Sequence, residues 1–204
     1  MKKIIFIEGV DGSGKTTLSA GLSNLLSAKY KQDVQLLNKY SPRYYGDLFE
    51  IDRKNGIQCS PLAKLSYRVA RLSLALDHEV RSMNKTAIFD RGPVNTILDS
   101  MEDGIPRDLL SIFLKDMFVG VEEYGIQMIL LRPPLETVFQ RLSTRKELAH
   151  KEKSSAYITG YYEKSFKVFK EIDFTSNKMV IDTEKLTIGQ CLQEIERVVC
   201  SGCI

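Results

Sequence analysis

Residues 8–17 read EGVDGSGKTT, and they follow the apolar run KIIFI at positions 3–7. From Gly9 to Thr16 the stretch matches the pattern G-x-x-x-x-G-K-[ST] at every fixed position. The apolar run predicts a buried β-strand, and the segment 15–30 has the leucine spacing of a helix. A strand before and a helix after are the context in which this pattern forms a phosphate-binding loop. We therefore predict such a loop here.

The residue types in this loop suit the phosphates of a nucleotide. Glycine permits positive φ and lets the backbone approach an anion, so that successive N–H groups form a binding nest. The N-terminus of the following helix adds positive potential. Lys15 is expected on a solvent-facing loop, where it reaches the β- and γ-phosphates of the nucleotide, and the Thr16 hydroxyl is expected to bind Mg²⁺. The full set of expected nucleotide-binding residues is Gly9, Val10, Asp11, Gly12, Ser13, Gly14, Lys15, Thr16 and Thr17.

Short apolar runs alternate with helical patterns along the whole chain. The predicted strands are 3–8, 34–38, 86–90, 126–131 and 178–182. The predicted helices are 15–30, 60–84, 93–101, 133–145, 155–172 and 187–199. The apolar runs are nearly continuous, which is typical of strands buried on both faces. The alternation therefore predicts an α/β fold in three layers, with a parallel sheet between helices and right-handed crossovers.

The composition is that of an ordinary globular protein. The 204 residues are 43% hydrophobic and 27% charged, with a formal net charge of +3. This supports a single domain over 1–204 and is too weakly basic to argue for a nucleic-acid polymer as partner. No apolar run approaches the roughly 20 residues of a membrane span. Four cysteines without a signal peptide favour a reduced, cytoplasmic protein.

A second candidate site lies where the predicted strand TAIFD ends, at Asp90 and Arg91. Ligands of open parallel sheets bind at the carboxyl ends of the strands. Arg91 can form a bidentate contact with a phosphate, and Asp90 offers a carboxylate to a substrate or to Mg²⁺. The alternative is an ion pair on the surface.

Three classes of nucleotide-binding protein compete at this point. A small GTPase would need a base-reading NKxD motif, which the sequence lacks. A motor ATPase is usually larger and uses an arginine from a neighbouring subunit. A kinase needs an acceptor pocket and basic residues over the transferred phosphoryl group. The basic segment STRKELAHKEKSS at 143–155 suits such a lid, and a solvated helix face is the alternative.

Six stretches of the chain, in order, resemble the thymidylate kinase family of P-loop kinases. They are IEGVDGSGKTT (7–17), SPRYYGD (41–47), YRVAR (67–71), DRG (90–92), PPLETVFQRLSTR (133–145) and VIDTEKLTIGQCLQEI (180–195). The resemblance implies a five-stranded parallel sheet in the order 2-3-1-4-5 and a helical lid at about 143–155. It also implies ATP as phosphoryl donor, Mg²⁺, and a nucleoside monophosphate as acceptor. The family commonly dimerises, and the apolar helix faces of this chain would permit a homodimer.

The resemblance also assigns the acceptor side of the site. Tyr67 and Arg71 are four residues apart and therefore share one helix face. In the family this face meets the acceptor base, although Tyr67 also suits an ordinary core position. Arg43 is expected to hold the monophosphate together with Arg91. Asp11 is expected near the acceptor's sugar hydroxyl and phosphate or near Mg²⁺.

The lid is expected to supply positive charge to the phosphates. Some family members carry a basic residue inside the phosphate loop, where this chain has Ser13. The members that lack it supply the charge from the lid instead. Arg141 and Arg145, which are four residues apart, are the favoured pair. The catalytic set implied by the resemblance is therefore Asp11, Lys15, Arg91, Arg141 and Arg145.

The stretch DRGPVNTILD at 90–99 departs from the family. Gly92 stands where the family has an aromatic residue or histidine. Asp99 falls near the position of a tyrosine that packs under the deoxyribose. The Asp99 carboxylate would accept a hydrogen bond from a substrate hydroxyl or face solvent. The expected acceptor is therefore a nucleoside monophosphate whose base and sugar are left open. Two alternatives remain: a kinase for another small acceptor such as an unphosphorylated nucleoside, and a nucleotide-binding switch that has lost acceptor chemistry.

Overall fold

The fold is built on one parallel sheet. The structure, a computed structural model, describes residues 3–38, 59–82, 85–119, 121, 124–145 and 154–200. The strands are β1 (Lys3–Glu8), β2 (Val34–Asn38), β3 (Thr86–Asp90), β4 (Gly125–Leu131) and β5 (Lys178–Ile181). They pair in the order β2-β3-β1-β4-β5, with every pairing parallel. The predicted fold class and strand order are confirmed.

Helices connect the strands. Within the described residues they are α1 (Lys15–Tyr30), α2 (Pro61–Ala75), α3 (Pro93–Glu102), α4 (Arg107–Phe118), α5 (Leu135–Ser143), α6 (Ser155–Glu171) and α7 (Ile188–Cys200). None of the helices in this part of the chain has the length and apolar character needed to cross a membrane. Most of the predicted lid segment falls in 146–153, outside the described residues, so the lid stays a prediction.

Two helical predictions need correction. The helix expected over 60–84 is α-helical only to Ala75, and Leu76–Ser82 continues it as a π-helix. Its start is as expected, because Ser60 accepts a hydrogen bond from the backbone N–H of Ala63 at 3.2 Å and Pro61 follows in the first turn. Helix α4 was not predicted at all. The sequence nevertheless held its signal, since the buried side chains of α4 follow a helical period at Leu110, Leu114, Met117 and Phe118.

Strand β1 lies at the centre of the sheet and separates two cores. Its side chains alternate between them: Ile4 and Phe6 pack with α2 to α6, and Ile5 and Ile7 pack with α1 and α7. All four are fully buried. This three-layer arrangement places the carboxyl ends of β1 and β3 side by side, with Ile7 paired to Asp90. The phosphate loop after β1 and the Asp90–Arg91 pair after β3 are therefore neighbours.

Candidate active site

The loop between β1 and α1 has the backbone that its glycines require. Gly9 has φ +140°, and a Cβ there would lie 2.6 Å from the Leu131 carbonyl oxygen and 2.7 Å from the Ser13 hydroxyl. Gly14, at the start of α1, has φ +97°. Side chains are disfavoured at both positions, so the loop backbone is held in the curved form that presents N–H groups to an anion.

Lys15 is buried beneath this loop, with 5% of its side chain exposed. Its Nζ donates to the Val10 carbonyl oxygen at 2.7 Å and lies 3.5 Å from Asp11 Oδ1. Burial, helped by the nearby Arg91, lowers the Lys15 pKa to about 8. The expectation of a solvent-facing lysine is wrong, because the loop folds around the Lys15 ammonium group. The ammonium is nevertheless held against the backbone of the loop.

Thr16 and Asp90 come together as the sequence analysis expected of a metal-binding pair. The Thr16 hydroxyl donates to Asp90 Oδ2 at 2.7 Å. Asp90 Oδ1 is buried and accepts no hydrogen bond from the described residues. A hydroxyl and an under-used carboxylate are hard oxygen donors that suit Mg²⁺, which keeps several waters and shares substrate phosphates. In the part of the chain that the structure describes, no three His, Cys, Asp or Glu side chains form a metal cage. The residues present thus fit Mg²⁺ bound together with a nucleotide.

Arg91 lies beside the loop and is held in a costly conformation. Its backbone has φ +83°, which a side-chain-bearing residue adopts at a cost of about 1–3 kcal/mol. Its N–H donates to the Ile7 carbonyl oxygen at 3.0 Å, and its guanidinium pairs with the Asp11 carboxylate. Asp11 therefore contacts both Arg91 and Lys15, the two cations assigned to acceptor and donor.

Glu8, at the end of β1, was missed by the sequence analysis. It is fully buried, and its Oε1 accepts from the Val94 N–H at 2.9 Å, at the start of α3. Burial raises the Glu8 pKa to about 7, against the backbone hydrogen bonds that lower it. The only signal was an acid closing an apolar strand. Glu8 ties the strand before the phosphate loop to the turn that carries Arg91.

Gly92 is explained by close packing in the same turn. A Cβ on Gly92 would lie 2.4 Å from Phe6 Cδ1 and 3.0 Å from Glu8 Oε1. Phe6 is itself packed against Phe89 and Phe118, with ring centroids at 4.9 Å and 5.8 Å. The departure from an aromatic at this position is therefore a packing requirement of this chain.

The expected acceptor face of α2 points towards the same region. Tyr67 and Arg71 are both half-buried. Burial lowers the Arg71 pKa, and the nearby Tyr67 and Asp99 oppose this effect. Arg71 thus lies within electrostatic reach of both Tyr67 and Arg91. Arg43, the other expected phosphate ligand, lies outside the described residues.

The Asp99 side chain faces the protein, in contrast to the alternative in which it faces solvent. Its Oδ1 accepts from the Tyr161 hydroxyl at 3.1 Å, and the same hydroxyl accepts from Asn95 Nδ2 at 2.7 Å. Burial raises the Asp99 pKa. Tyr161, which comes from α6, was not predicted, because no local pattern links residues more than 60 positions apart.

The two lid arginines are placed differently. Arg141, in α5, donates to the carbonyl oxygens of Gly12 and Ser13 at 3.3 and 3.4 Å. It also donates to the Thr183 hydroxyl and carbonyl at 2.9 and 2.8 Å. Arg141 therefore supports the phosphate loop from outside. Arg145 lies past the end of α5 with an exposed side chain, and Thr17 is also exposed. Their roles stay predictions.

Comparison with known proteins identifies relatives with the same fold. A scan against protein-family models finds no match. The chain is 30% identical over 197 residues to probable thymidylate kinase 1 of Saccharolobus solfataricus, covering 91% of this chain and 90% of that protein. It superposes on the crystal structure of thymidylate kinase from Ehrlichia chaffeensis with a TM-score of 0.68, at 20% identity, over 97% of this chain and 98% of that one. The sequence match over nearly the full length, on this fold, shows that the chain belongs to the thymidylate kinase family.

Proposed function

We propose that this protein transfers the γ-phosphoryl group of ATP to a nucleoside monophosphate. The observation that carries the proposal is the position of Asp11, whose carboxylate contacts Arg91 and lies 3.5 Å from Lys15. One carboxylate thus holds a cation from each of two neighbouring strand ends. The donor phosphates beside Lys15 and the acceptor phosphate beside Arg91 would therefore face each other, each neutralised by one cation. Family membership supports the same assignment.

The chemistry asked of the protein is mainly positioning and charge compensation. The loop N–H groups and Lys15 bind the donor's phosphates, and the ammonium exchanges the Val10 carbonyl for a phosphate oxygen. Arg91 exchanges Asp11 for the acceptor's phosphate in the same way. Thr16 and Asp90 would hold Mg²⁺, which supplies further neutralisation of the donor phosphates. Arg141 keeps the loop in shape, and no general base is needed for this scheme.

The remaining site residues receive roles by position. Tyr67 and Arg71 are proposed to face the acceptor base, and Arg43 to join Arg91 on the acceptor phosphate. Arg145 is proposed to add charge over the phosphates from the lid.

Asp99 is proposed to relax sugar selectivity, because a carboxylate can accept a hydrogen bond from a ribose hydroxyl. A matched hydroxyl–carboxylate bond in a desolvated site is worth about 1.5–3 kcal/mol, which is about tenfold to a hundredfold in preference. We expect kcat/KM for ribo- over deoxyribo-acceptors to fall in Asp99→Ala relative to wild type. An unchanged ratio would remove Asp99 from the sugar site.

The test of the proposed function is ATP consumption with a panel of nucleosides and nucleoside monophosphates. Turnover that depends on a monophosphate supports the proposal. Turnover with nucleosides alone would make the protein a nucleoside kinase, and ATP binding without any acceptor-dependent turnover would make it a switch. Lys15→Met, which keeps an apolar stem in the buried position, is the control that must abolish turnover.

A further inference from the structure

Strand β1 holds the turn that follows β3. The Arg91 N–H donates to the Ile7 carbonyl oxygen at 3.0 Å, and the Val94 N–H donates to Glu8 Oε1 at 2.9 Å. Two consecutive residues of β1 therefore fix the path of the chain from Arg91 into helix α3, which begins two residues later.

Helix α3 takes its N-terminal cap from this neighbouring strand. Gly92 stands at the capping position and has no side chain to offer. Pro93 follows without an N–H, so Val94 carries the first N–H of the helix. Glu8 accepts that N–H inside the protein, because its side chain is fully buried. A buried N–H left without an acceptor costs about 1–3 kcal/mol, so the start of α3 depends on the Glu8 oxygen.

The same turn carries backbone strain. Arg91 has φ +83°, a conformation that persists only where the surrounding structure determines it. The strain, about 1–3 kcal/mol, is comparable with the cost of losing the buried hydrogen bond to Glu8. Without the Glu8 oxygen, the turn is therefore expected to relax towards an ordinary φ, and the Arg91 side chain would move with it.

The phosphate loop depends less on the Glu8 side chain. The Glu8 backbone pairs with Leu130 of β4, so the sheet itself fixes the point at which the loop leaves β1. The turn after β3 leaves the sheet at Asp90 and is held beyond that point by its bonds to Ile7 and Glu8. Loss of the Glu8 oxygen should therefore disturb the acceptor half of the site more than the donor half.

We infer that Glu8 is a positioning residue for the acceptor half of the site: its side chain caps α3 from β1 and so holds the Arg91 turn beside the phosphate loop. The inference rests on the proposed function only in assigning Arg91 to the acceptor phosphate. It concerns the backbone that carries Arg91, and the ion pair between Arg91 and Asp11 stays intact in the free protein. A neutral carboxyl or an amide also keeps an accepting oxygen, so the cap does not need the negative charge of Glu8.

The experiment compares Glu8→Met with Glu8→Gln. The two new side chains are similar in length, but only glutamine keeps an oxygen that can accept from the Val94 N–H. Dissociation constants for thymidine monophosphate and for ATP are measured separately by calorimetry, so that no turnover is needed. In Glu8→Met we expect about 10-fold weaker monophosphate binding, with ATP binding within about twofold of wild type. Glu8→Gln should stay within about twofold of wild type for both ligands.

Further variants separate positioning from a general loss of stability. Ile5→Val trims a fully buried β1 residue on the opposite face of the sheet and should leave both dissociation constants as in wild type. In Arg91→Ala, adding Glu8→Met should change monophosphate affinity by less than about twofold, since the residue to be positioned is absent. If Glu8→Met does not fold, Val94→Pro removes the same hydrogen bond from the donor side, in the first helical turn where proline is tolerated, and the same losses are expected.

The outcomes separate the two proposals. Monophosphate affinity that is equal in Glu8→Met and Glu8→Gln overturns the inference and leaves the proposed kinase activity untouched. An equal loss of ATP affinity in Glu8→Met also overturns the inference, because Glu8 would then support both halves of the site alike. Monophosphate binding that depends on the Glu8 oxygen, in a protein without acceptor-dependent turnover, overturns the proposed function and leaves the inference standing.

Discussion

The fold disfavours the charged form of Lys15. The side chain is buried, and its pKa is lowered to about 8. Nucleotide phosphates placed beside the ammonium would favour its charged form and raise that pKa again. An anion bound in the loop is therefore expected to shift Lys15 towards its charged form.

We predict that ATP binding at pH 8.5 takes up protons. Free Lys15 is partly neutral at this pH and becomes fully charged beside phosphate, so the complex binds more protons than the free protein. Calorimetric titrations in two buffers of different ionisation enthalpy measure the uptake. It should shrink at pH 6.5 and be absent in Lys15→Met at both values. Equal enthalpies in the two buffers at pH 8.5 would contradict the assignment.

Arg91 is the residue on which acceptor binding is predicted to depend. Arg91→Ala should lower kcat/KM for the acceptor by about 100- to 1,000-fold, because a charge-assisted bidentate contact is lost, and leave ATP affinity within about threefold. Arg91→Lys keeps the positive charge but loses the bidentate guanidinium contact, so it should retain only part of the wild-type activity. If ATP affinity collapses while acceptor kinetics stay as in wild type, donor and acceptor pockets have been exchanged.

At the scale of elements, the sequence predicted the strands to within one residue and missed one helix. The strands were readable because each is a short, largely apolar run bounded by polar or turn residues, which leaves little freedom in where it begins or ends. The end of α2 was not readable, because residues 76–82 keep a helical spacing of apolar side chains whether they form α or π turns.

The site residues, too, were predictable only where one continuous stretch of sequence carried the signal. The phosphate loop and Asp90–Arg91 were predicted because their chemistry lies in one continuous stretch each. Tyr161 and Glu8 were not, because their roles arise from hydrogen bonds to α3 that span 66 and 86 positions. Contacts of this kind exist only once the helices have packed, and a single sequence contains no local trace of them.

Helix α5 makes a prediction of its own, since Arg141 links it to the phosphate loop. Arg141→Ala removes hydrogen bonds to two loop carbonyls and to Thr183, and we expect ATP affinity to fall about tenfold with little change in acceptor KM. Arg145→Ala, on the exposed end of the same segment, should leave ATP affinity unchanged and affect kcat alone. Equal losses in both variants would mean that Arg141 acts through charge over the phosphates instead of through the loop backbone.

At the scale of the whole molecule, Glu8 makes stability depend on pH. Its pKa rises from 4.5 in the unfolded chain to about 7 in the fold, so the native state binds the extra proton between these values. Stability contributed by this group is therefore fully present below pH 4.5 and falls as pH rises to 7, by about 3 kcal/mol. Urea unfolding of wild type and Glu8→Gln from pH 5 to 8 measures the difference. Gln retains an oxygen acceptor for the Val94 N–H, so Glu8→Gln should flatten the dependence of the unfolding free energy on pH in this range. Parallel pH profiles for the two proteins would contradict a raised Glu8 pKa.

The contact between Gly92 and Phe6 constrains how this chain can change over evolutionary time. The aromatic residue or histidine that the resemblance leads us to expect at position 92 cannot be accommodated while Phe6 keeps its place, because even its Cβ would overlap the Phe6 ring at 2.4 Å. Phe6 in turn cannot shrink first without leaving a cavity between Phe89 and Phe118. The two positions are therefore epistatic. Replacing either residue alone is therefore expected to destabilise the protein, whereas a paired replacement removes the overlap.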